Sequence, residues 1–219
     1  MNLNLSKSCQ IVGLDQIYLN YFGRVGTGTF VEVGAYDGEE FSNTSCLADI
    51  GWNGIYVEPV KEFYEKCLNR HKCNNVFVEN CSIGKFEGEV DLYIEGAITT
   101  TSINQVDLYK SINWSREITE SKCNQITLNS LLQKYKVPPK FELLVVDVEG
   151  NETDVFDSFD FGYYLPKMVI VELVDLHDEF KTISTVYESN VSLRNTIKNF
   201  GYKEIYKDHI NTIFIFGEL

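Results

Sequence analysis

The ten residues Thr29–Gly38 (TFVEVGAYDG) decide the fold predicted for this chain. Phe30–Val33 is a short apolar run, typical of a buried strand, and the strand ends at Gly34. Roughly twenty residues further on, a second apolar run ends at the acidic Glu58. Glycines let the backbone approach a ligand closely, and such an acid accepts hydrogen bonds from two ribose hydroxyls. The order strand, glycine turn, helix, strand and acid therefore predicts an α/β sheet that binds a nucleoside.

The glycine spacing argues against a dinucleotide. Gly34 and Gly38 are separated by three residues and do not form the G-x-G-x-x-G that seats a pyrophosphate on a helix N-terminus. Glu32 in the strand and Asp37 in the loop would repel a pyrophosphate, but they suit a ligand with a cationic end. S-adenosylmethionine carries a sulfonium and an amino group, so the sequence favours it over NAD.

Composition predicts one ordered domain over residues 1–219. The chain is 44% hydrophobic and 13% aromatic, which is typical of a globular protein with a full core. Its formal net charge of -13 opposes binding to a phosphate backbone, because cationic side chains supply most of that affinity. We therefore expect no nucleic-acid substrate, whereas a neutral acceptor such as a sugar hydroxyl meets no such repulsion.

The location is expected to be cytoplasmic. The first residues show no secretion signal, and no apolar run reaches the roughly 18–20 residues of a membrane span. The six cysteines form no C-x-x-C pair, so they are predicted to be reduced thiols.

Hydrophobic periodicity and turn residues predict the remaining elements. Residues 1–28 are predicted to form an N-terminal helical cover, with a helix at 14–22 over one edge of the sheet. The other predicted helices are 40–50, 59–70, 128–135, 151–159 and 191–200, and the predicted strands are 29–33, 54–57, 76–78, 142–146 and 168–171. An extra strand is predicted at 89–94, and a hairpin joins 202–206 to 212–216. A final antiparallel hairpin favours a methyltransferase sheet over a dinucleotide-binding one.

Residues 96–124, called the insertion below, are the hardest segment to interpret. The segment is rich in Thr, Ser and Asn, and it contains Tyr109 and Trp114. Connections of this length often serve as lids or binding segments. We therefore predict that the insertion covers the site and binds the acceptor.

Four stretches, in chain order, resemble the FkbM family of S-adenosylmethionine-dependent methyltransferases. They are Phe30–Gly38, Phe41–Thr44, Gly51–Pro59 and Leu143–Glu152, the last with the distinctive Asp-x-Glu-Gly-x-Glu. The resemblance implies a Rossmann-like class I methyltransferase fold: a mostly parallel seven-stranded sheet with a C-terminal antiparallel hairpin and helices on both faces. It also implies methyl transfer to oxygen, which in this family often belongs to a sugar or a natural product.

The resemblance and the fold imply a cofactor role for several residues. Gly34 and Gly38 are expected to pass under the methionyl part, Glu58 to hold the ribose, and Asn80 with Ser82 to meet the adenine. The predicted cofactor-binding residues are Glu32, Gly34, Tyr36, Asp37, Gly38, Ser42, Asn43, Thr44, Glu58, Asn80, Ser82 and Asp147.

Acceptor chemistry is expected where the strands at 142–146 and 168–171 end. Asp147, Glu149 and His177 are the predicted catalytic residues, with neutral His177 as a possible general base or else an exposed loop residue. Glu152 either joins them or favours its helix N-terminus. Asp147 and Glu172 are candidate ligands for Mg²⁺ or Mn²⁺.

Three functions remain open on the sequence alone. The first is an O-methyltransferase for a sugar or glycan hydroxyl, a glycan-modification enzyme, with a small-molecule natural product as the alternative acceptor. The second is a nicotinamide-dependent oxidoreductase, which the glycine spacing and the final hairpin disfavour. The third is a binding module that has kept the fold without activity.

Overall fold

The protein was analysed as a computed structural model that describes residues 3–23, 26–111 and 117–217. Trp114 of the insertion lies outside these residues. The strands are β1 (Thr29–Val33), β2 (Asn53–Val57), β3 (Val76–Glu79), β4 (Ser82–Ile83), β5 (Gly88–Glu95), β6 (Ile98–Thr100), β7 (Thr119–Ile126), β8 (Leu143–Val146), β9 (Met168–Glu172), β10 (Tyr202–Lys207) and β11 (Asn211–Phe216). The α-helices are α1 (Leu14–Phe22), α2 (Ser45–Asp49), α3 (Lys61–Arg70), α4 (Ile103–Ser111), α5 (Leu128–Lys134), α6 (Glu152–Asp157) and α7 (Ser184–Asn199), with a 3₁₀ helix at Val174–Leu176.

Seven strands form the central sheet in the order β10-β11-β9-β8-β1-β2-β3. Neighbours from β9 to β3 pair in parallel, whereas β11 runs antiparallel to both β9 and β10. The final hairpin thus inserts the last strand between β9 and β10. This order confirms the predicted class I methyltransferase fold with its C-terminal antiparallel hairpin.

Helices cover both faces of the sheet because successive residues of a strand point to opposite sides. Val31 and Val33 face the side covered by α5, α6 and α7. Phe30 faces the side covered by α1, α2 and α3. Within α1, Leu14 and Tyr18 are buried in this second core. The N-terminal helix therefore covers a face of the sheet, and the prediction that it covers an edge is wrong.

A second, four-stranded sheet in the order β4-β7-β5-β6 stands beside the first. The extra strand predicted at 89–94 is confirmed as β5, and it belongs to this smaller sheet. The described part of the insertion contains β6, α4 and the start of β7. Alternation along β5 buries Leu92 against Phe63 of α3, which ties the small sheet to the domain.

Two predicted helices differ from the structure by more than two residues at one end. The helix predicted at 40–50 is only α2, because Phe41 adopts a left-handed φ of 61° and the next residues are hydrogen-bonded to Glu32. The helix predicted at 191–200 begins at Ser184. The first turns of α7 are largely polar, so hydrophobic periodicity did not reveal them. They are held against the 3₁₀ helix by Asn190, whose side chain accepts a hydrogen bond from the Val174 N–H at 2.8 Å.

In the described ranges no helix is both long enough and apolar enough to cross a membrane. All six cysteines are free thiols, as predicted. The cytoplasmic location stays a prediction.

Candidate active site

A first cavity of about 260 Å³ opens where β1, β2, β8 and β9 end. Its apolar end is lined by Pro59, Phe63, Ile83 and Leu92. Its opposite end is lined by carboxyl groups that follow or end β8 and β9. The cavity therefore offers an apolar slot at one end and acids at the other. Such sites are common at the carboxyl ends of parallel strands.

Gly34 is required by the packing of β1 against β8. Its φ is +89°, and a Cβ there would lie only 1.7 Å from the backbone oxygen of Asp147. The Asp147 N–H in turn donates to the Val33 carbonyl at 3.0 Å. Any side chain at position 34 would displace the end of β8, so the packing of the two strands requires glycine there. The predicted approach of Gly34 to the cofactor stays a prediction.

Glu58 directly follows β2 and is part of the cavity wall. The Tyr36 N–H donates to one oxygen at 2.9 Å, and the Val60 N–H donates to the other at 2.8 Å. Burial raises the pKa of Glu58 to about 8, and the two hydrogen bonds oppose this shift because they stabilise the ionised carboxylate. Each oxygen keeps a lone pair, so the group can still accept from ligand hydroxyls.

Glu32 holds the loop that carries the Ser-Asn-Thr element. Its carboxyl accepts hydrogen bonds from the Ser42 and Thr44 hydroxyls (3.0 and 2.5 Å) and from the Asn43 N–H (3.0 Å). The group is only 3% exposed, and burial raises its pKa to about 7. The described lining of the first cavity does not include these four residues. Their predicted contact with a cofactor stays a prediction, and their structural work is to brace β1.

Three other predicted cofactor residues also lie behind the wall. Asp37 accepts hydrogen bonds from the Glu39 and Glu40 N–H groups (2.9 and 2.7 Å). A Cβ on Gly38 would meet the α3 side (Cys67 Sγ at 2.8 Å). The Asn80 amide donates to the carbonyl oxygens of Glu58 and Pro59, both at 2.9 Å. Of the predicted cofactor set, Gly34, Tyr36, Glu58, Ser82 and Asp147 line the cavity.

Asp147, Glu149 and Glu172, called the carboxylate cluster below, close the acidic end. Each offers an oxygen, and these oxygens all lie within 4.8 Å of one another. A side-chain hydrogen bond joins Asp147 to Glu172, so one of the two keeps a proton. Burial and the charges of the neighbouring acids raise the pKa of Glu172 well above its usual range, which makes it the protonated partner.

Glu149 is bound to the insertion. The Tyr109 hydroxyl of α4 donates to its carboxyl at 2.6 Å. Burial raises the pKa of Glu149 to about 8, the negative charge of Asp147 raises it too, and the Tyr109 hydrogen bond lowers it. Glu149 also has a left-handed φ of 55°, uncommon for a residue other than glycine. The turn after β8 therefore aims this side chain toward the cluster at a conformational cost.

Glu152 does a different task from its neighbours. Its carboxyl accepts the Val148 and Gly150 N–H groups, both at 3.1 Å, and so closes the turn between β8 and α6. Burial raises its pKa to about 7. Of the two interpretations of Glu152, its contacts favour the one in which it organises the start of a helix.

His177 follows the 3₁₀ helix and accepts a hydrogen bond from the Glu179 N–H at 3.3 Å. Its ring lies 5.2 Å from that of Phe180 and 5.6 Å from that of His209. The described residues that line the two cavities do not include His177. A role as general base stays a prediction, and the carboxylate cluster is the better placed group.

The insertion is attached to the Asp-x-Glu-Gly-x-Glu turn by contacts that the sequence did not reveal. The Asn151 side-chain amide is hydrogen-bonded to the Thr101 hydroxyl at 2.6 Å. With the amide group oriented so that its oxygen faces this turn, the oxygen also accepts hydrogen bonds from the Thr101 and Ser102 N–H groups at 3.2 Å. A Cβ on Gly150 would lie 2.4 Å from the Gln105 side chain. No short-range pattern marks Tyr109 or Gln105. The alternation of β5 was the one signal that could have placed Leu92 in the site.

A second cavity, of about 560 Å³, lies between α4, the turn after β8 and the start of α7. Glu172 lines both cavities, so they adjoin at the carboxylate cluster. Hydroxyl and amide side chains supply much of its lining, namely Ser102, Asn104, Gln105, Thr185, Ser189 and Asn190. The arrangement therefore places a polar chamber beside the acidic end of the first cavity.

Solved methyltransferases share this fold at low sequence identity. The O-methyltransferase TomG of Streptomyces achromogenes, solved with S-adenosylmethionine, has a TM-score of 0.53 at 11% identity over 96% of this chain and 83% of its own. A putative caffeoyl-CoA O-methyltransferase of Staphylococcus aureus has a TM-score of 0.52 at 15% identity over 95% of this chain and 84% of its own. No curated protein sequence matches the chain.

The family model described as the methyltransferase FkbM domain matches residues 32–204, most of the chain. The match spans both the Glu32–Gly38 turn and the Asp-x-Glu-Gly-x-Glu turn around which the first cavity is built. The chain belongs to the FkbM methyltransferase family.

Proposed function

We propose that the protein transfers a methyl group from S-adenosylmethionine to a hydroxyl of a sugar or glycan. The observation that carries the proposal is the position of the carboxylate cluster. It closes the acidic end of a cavity whose other end is an apolar slot, and it borders a second, polar chamber. A neutral hydroxyl acceptor and a cationic methyl donor both suit this arrangement.

The donor is proposed to lie with its adenine in the apolar slot, against Phe63 and Leu92. Glu58 would accept hydrogen bonds from the ribose hydroxyls with the lone pairs that the Tyr36 and Val60 N–H groups leave free. The sulfonium and amino end of the donor then lies beside Asp147 and Glu149, whose negative charge would attract it. TomG, which shares the fold, was solved with this donor.

Bound S-adenosylmethionine would supply an electrophilic methyl group: its C–S bond breaks, the acceptor O–C bond forms, and the sulfonium becomes a neutral thioether. Burial raises the pKa values of Asp147 and Glu149, and the negative charge of Asp147 raises that of Glu149 further. A cation beside them lowers these values and favours the ionised forms. Methyl transfer removes the positive charge of the sulfonium, so the affinity of these carboxylates for a proton rises again. At that point the acceptor hydroxyl loses its proton, which a carboxylate of the cluster can accept.

A sugar or glycan is proposed as the acceptor, with a small-molecule natural product as the alternative. The net charge of -13 disfavours anionic polymers. The second cavity is lined largely by hydroxyl and amide groups, which bind neutral hydroxyls. A flat apolar acceptor would leave these groups without hydrogen-bond partners, at a cost in affinity.

The carboxylate cluster also fits a hard divalent cation, because its oxygens are the ligands that Mg²⁺ and Mn²⁺ take. Such an ion would replace the proton that Asp147 and Glu172 share, and it would acidify a bound hydroxyl. Electron paramagnetic resonance of added Mn²⁺ with and without S-adenosylhomocysteine tests this version. Full methylation after exhaustive chelation would assign proton removal to the carboxylates alone.

Calorimetric titration of the purified protein with S-adenosylhomocysteine and with NADH tests the donor assignment. We expect binding of S-adenosylhomocysteine and none of NADH. Tight NADH binding alone would instead support the oxidoreductase alternative and overturn the proposal.

A further inference from the structure

The second cavity shares part of its wall with the first. Glu172 is part of the wall of both cavities. Tyr109 lines the second cavity and donates to Glu149, which lines the first. A molecule in the second cavity can therefore reach the carboxylate cluster, where an acceptor hydroxyl would have to lie to meet a methyl donor in the first cavity.

The lining selects against charge. Among the described residues of the second cavity there is no Lys or Arg to pair with a phosphate or carboxylate. Its two acids are already engaged, since Glu152 accepts two backbone N–H groups and Glu172 belongs to the carboxylate cluster shared with the first cavity. A neutral molecule meets the smallest electrostatic cost there.

The lining also selects for hydroxyl groups. Ser102, Asn104, Thr185 and Ser189 give donors and acceptors on more than one side of the chamber. Tyr109 and Phe180, whose rings are 6.4 Å apart, add apolar surface for C–H groups. The volume of about 560 Å³ falls within the range of small-molecule sites.

We infer that the second cavity is the acceptor subsite and that it takes a neutral polyhydroxyl compound, one hydroxyl of which points past Glu172 toward the methyl donor. Residues of α4 and of the first turns of α7 then set acceptor specificity. This inference rests on the proposed function, since it places the acceptor relative to the donor in the first cavity.

Thr185 and Thr196 give a matched pair of variants. Both are exposed threonines of α7, about 16 Å apart along the helix axis. Thr185 lines the mouth of the second cavity, and Thr196 is not among the residues lining it. Thr185→Trp fills the mouth with a large ring, whereas Thr196→Trp puts the same ring elsewhere on the helix.

The experiment is saturation-transfer NMR of each protein saturated with S-adenosylhomocysteine. The probes are methyl α-D-glucopyranoside, methyl α-D-mannopyranoside and methyl α-L-rhamnopyranoside, with glucose 6-phosphate and catechol as probes of other classes. We expect a signal from at least one methyl glycoside with the wild type and with Thr196→Trp, and at least a fivefold loss with Thr185→Trp. S-adenosylhomocysteine affinity should be the same in all three proteins.

The outcomes separate the two proposals. If S-adenosylhomocysteine does not bind the wild type, the donor assignment fails and this inference fails with it. If S-adenosylhomocysteine binds but the glycosides give no signal, or if Thr185→Trp retains it, the acceptor subsite is wrong while the donor site stands. Binding of catechol or glucose 6-phosphate in place of the glycosides would overturn the acceptor class.

Discussion

Buried acids are held in two different ways in this protein. Glu32, Glu58 and Glu152 each accept hydrogen bonds from backbone N–H groups, in the case of Glu32 together with two hydroxyls. Asp147 and Glu172 are bonded to each other, and Glu149 is held by the Tyr109 hydroxyl. Glu32, Glu58 and Glu152 hold loops in shape, whereas Asp147, Glu149 and Glu172 place like charges close together.

The difference teaches where chemistry is to be expected. An acid that takes backbone N–H donors has its charge compensated locally and stabilises its turn. Acids that face one another raise each other's pKa, and their repulsion is relieved when a cation binds beside them or when one of them accepts a proton. In the proposed function, the carboxylate cluster is therefore the reactive end and Glu58 a binding group.

The largest effect is expected from Asp147→Asn. Loss of this carboxylate should lower the rate of methyl transfer by about 10²- to 10⁴-fold, the scale of a lost acid–base group. The fold should be unchanged, because the amide oxygen can still accept the hydrogen bond from Glu172. Transfer from radiolabelled S-adenosylmethionine to the methyl glycosides measures it. The exposed Asp157→Asn on α6 is the control, and normal turnover by Asp147→Asn would remove the residue from the mechanism.

Glu58→Gln should weaken S-adenosylhomocysteine binding by about 1–3 kcal/mol. The amide sets its NH₂ against a backbone N–H and loses an acceptor for the ribose. Isothermal titration calorimetry measures the affinity. The exposed Glu62→Gln should bind as the wild type does, and unchanged affinity in Glu58→Gln would refute the ribose assignment.

Without ligand, stability should fall as pH rises. The pKa of Glu149 is about 8 in the folded protein, against an ordinary value of 4.5, so between these values the folded state binds more protons than the unfolded state. The free energy of unfolding then drops by up to roughly 1.4 kcal/mol per pH unit for each such carboxyl, and the contribution is lost as pH passes the folded pKa.

Urea unfolding between about pH 5 and pH 8 tests this dependence. Glu149→Gln should flatten the slope, because the amide does not titrate and still accepts the Tyr109 hydrogen bond. The exposed Glu65→Gln should keep the wild-type slope. A slope that Glu149→Gln leaves unaltered would show that the cluster is not under electrostatic strain.

The smallest effect is expected from Asn151→Ala, which tests how the insertion is attached to the reactive end. Loss of its hydrogen bonds to the turn at Thr101 and Ser102 should cost about 0.5–1.5 kcal/mol locally. Hydrogen exchange of peptides spanning residues 97–111 should rise roughly 2- to 10-fold, while β8 and β9 stay protected. Unchanged exchange in 97–111 would show that Tyr109 and Gln105 suffice to hold α4.

The fold could be predicted because its signals are local. The apolar runs of β1, β2, β8 and β9 and the glycine after β1 lie within short windows, and the hairpin at the C-terminus is marked by its turn. The family motifs are continuous for the same reason. Helix α2 is shorter than predicted because Glu32, which is distant in sequence, accepts hydrogen bonds from Ser42 and Asn43 and holds these residues in a loop.

The candidate site could be predicted only in part. Gly34, Glu58, Asp147 and Glu149 stand at strand ends, which periodicity locates. That Ser42, Asn43 and Thr44 turn inward to Glu32 depends on which face of β1 the loop covers, and no short-range pattern carries that information.

The sequence by itself determined the sheet, the order of its elements, the family and the acids at the strand ends, because each depends on neighbours in the chain. Only the tertiary structure decided which acids face one another, that Tyr109 reaches Glu149 across forty residues, and that Glu172 borders two cavities. These are long-range contacts, fixed by how the insertion and α7 pack on the sheet ends and not by any local preference of the residues that make them.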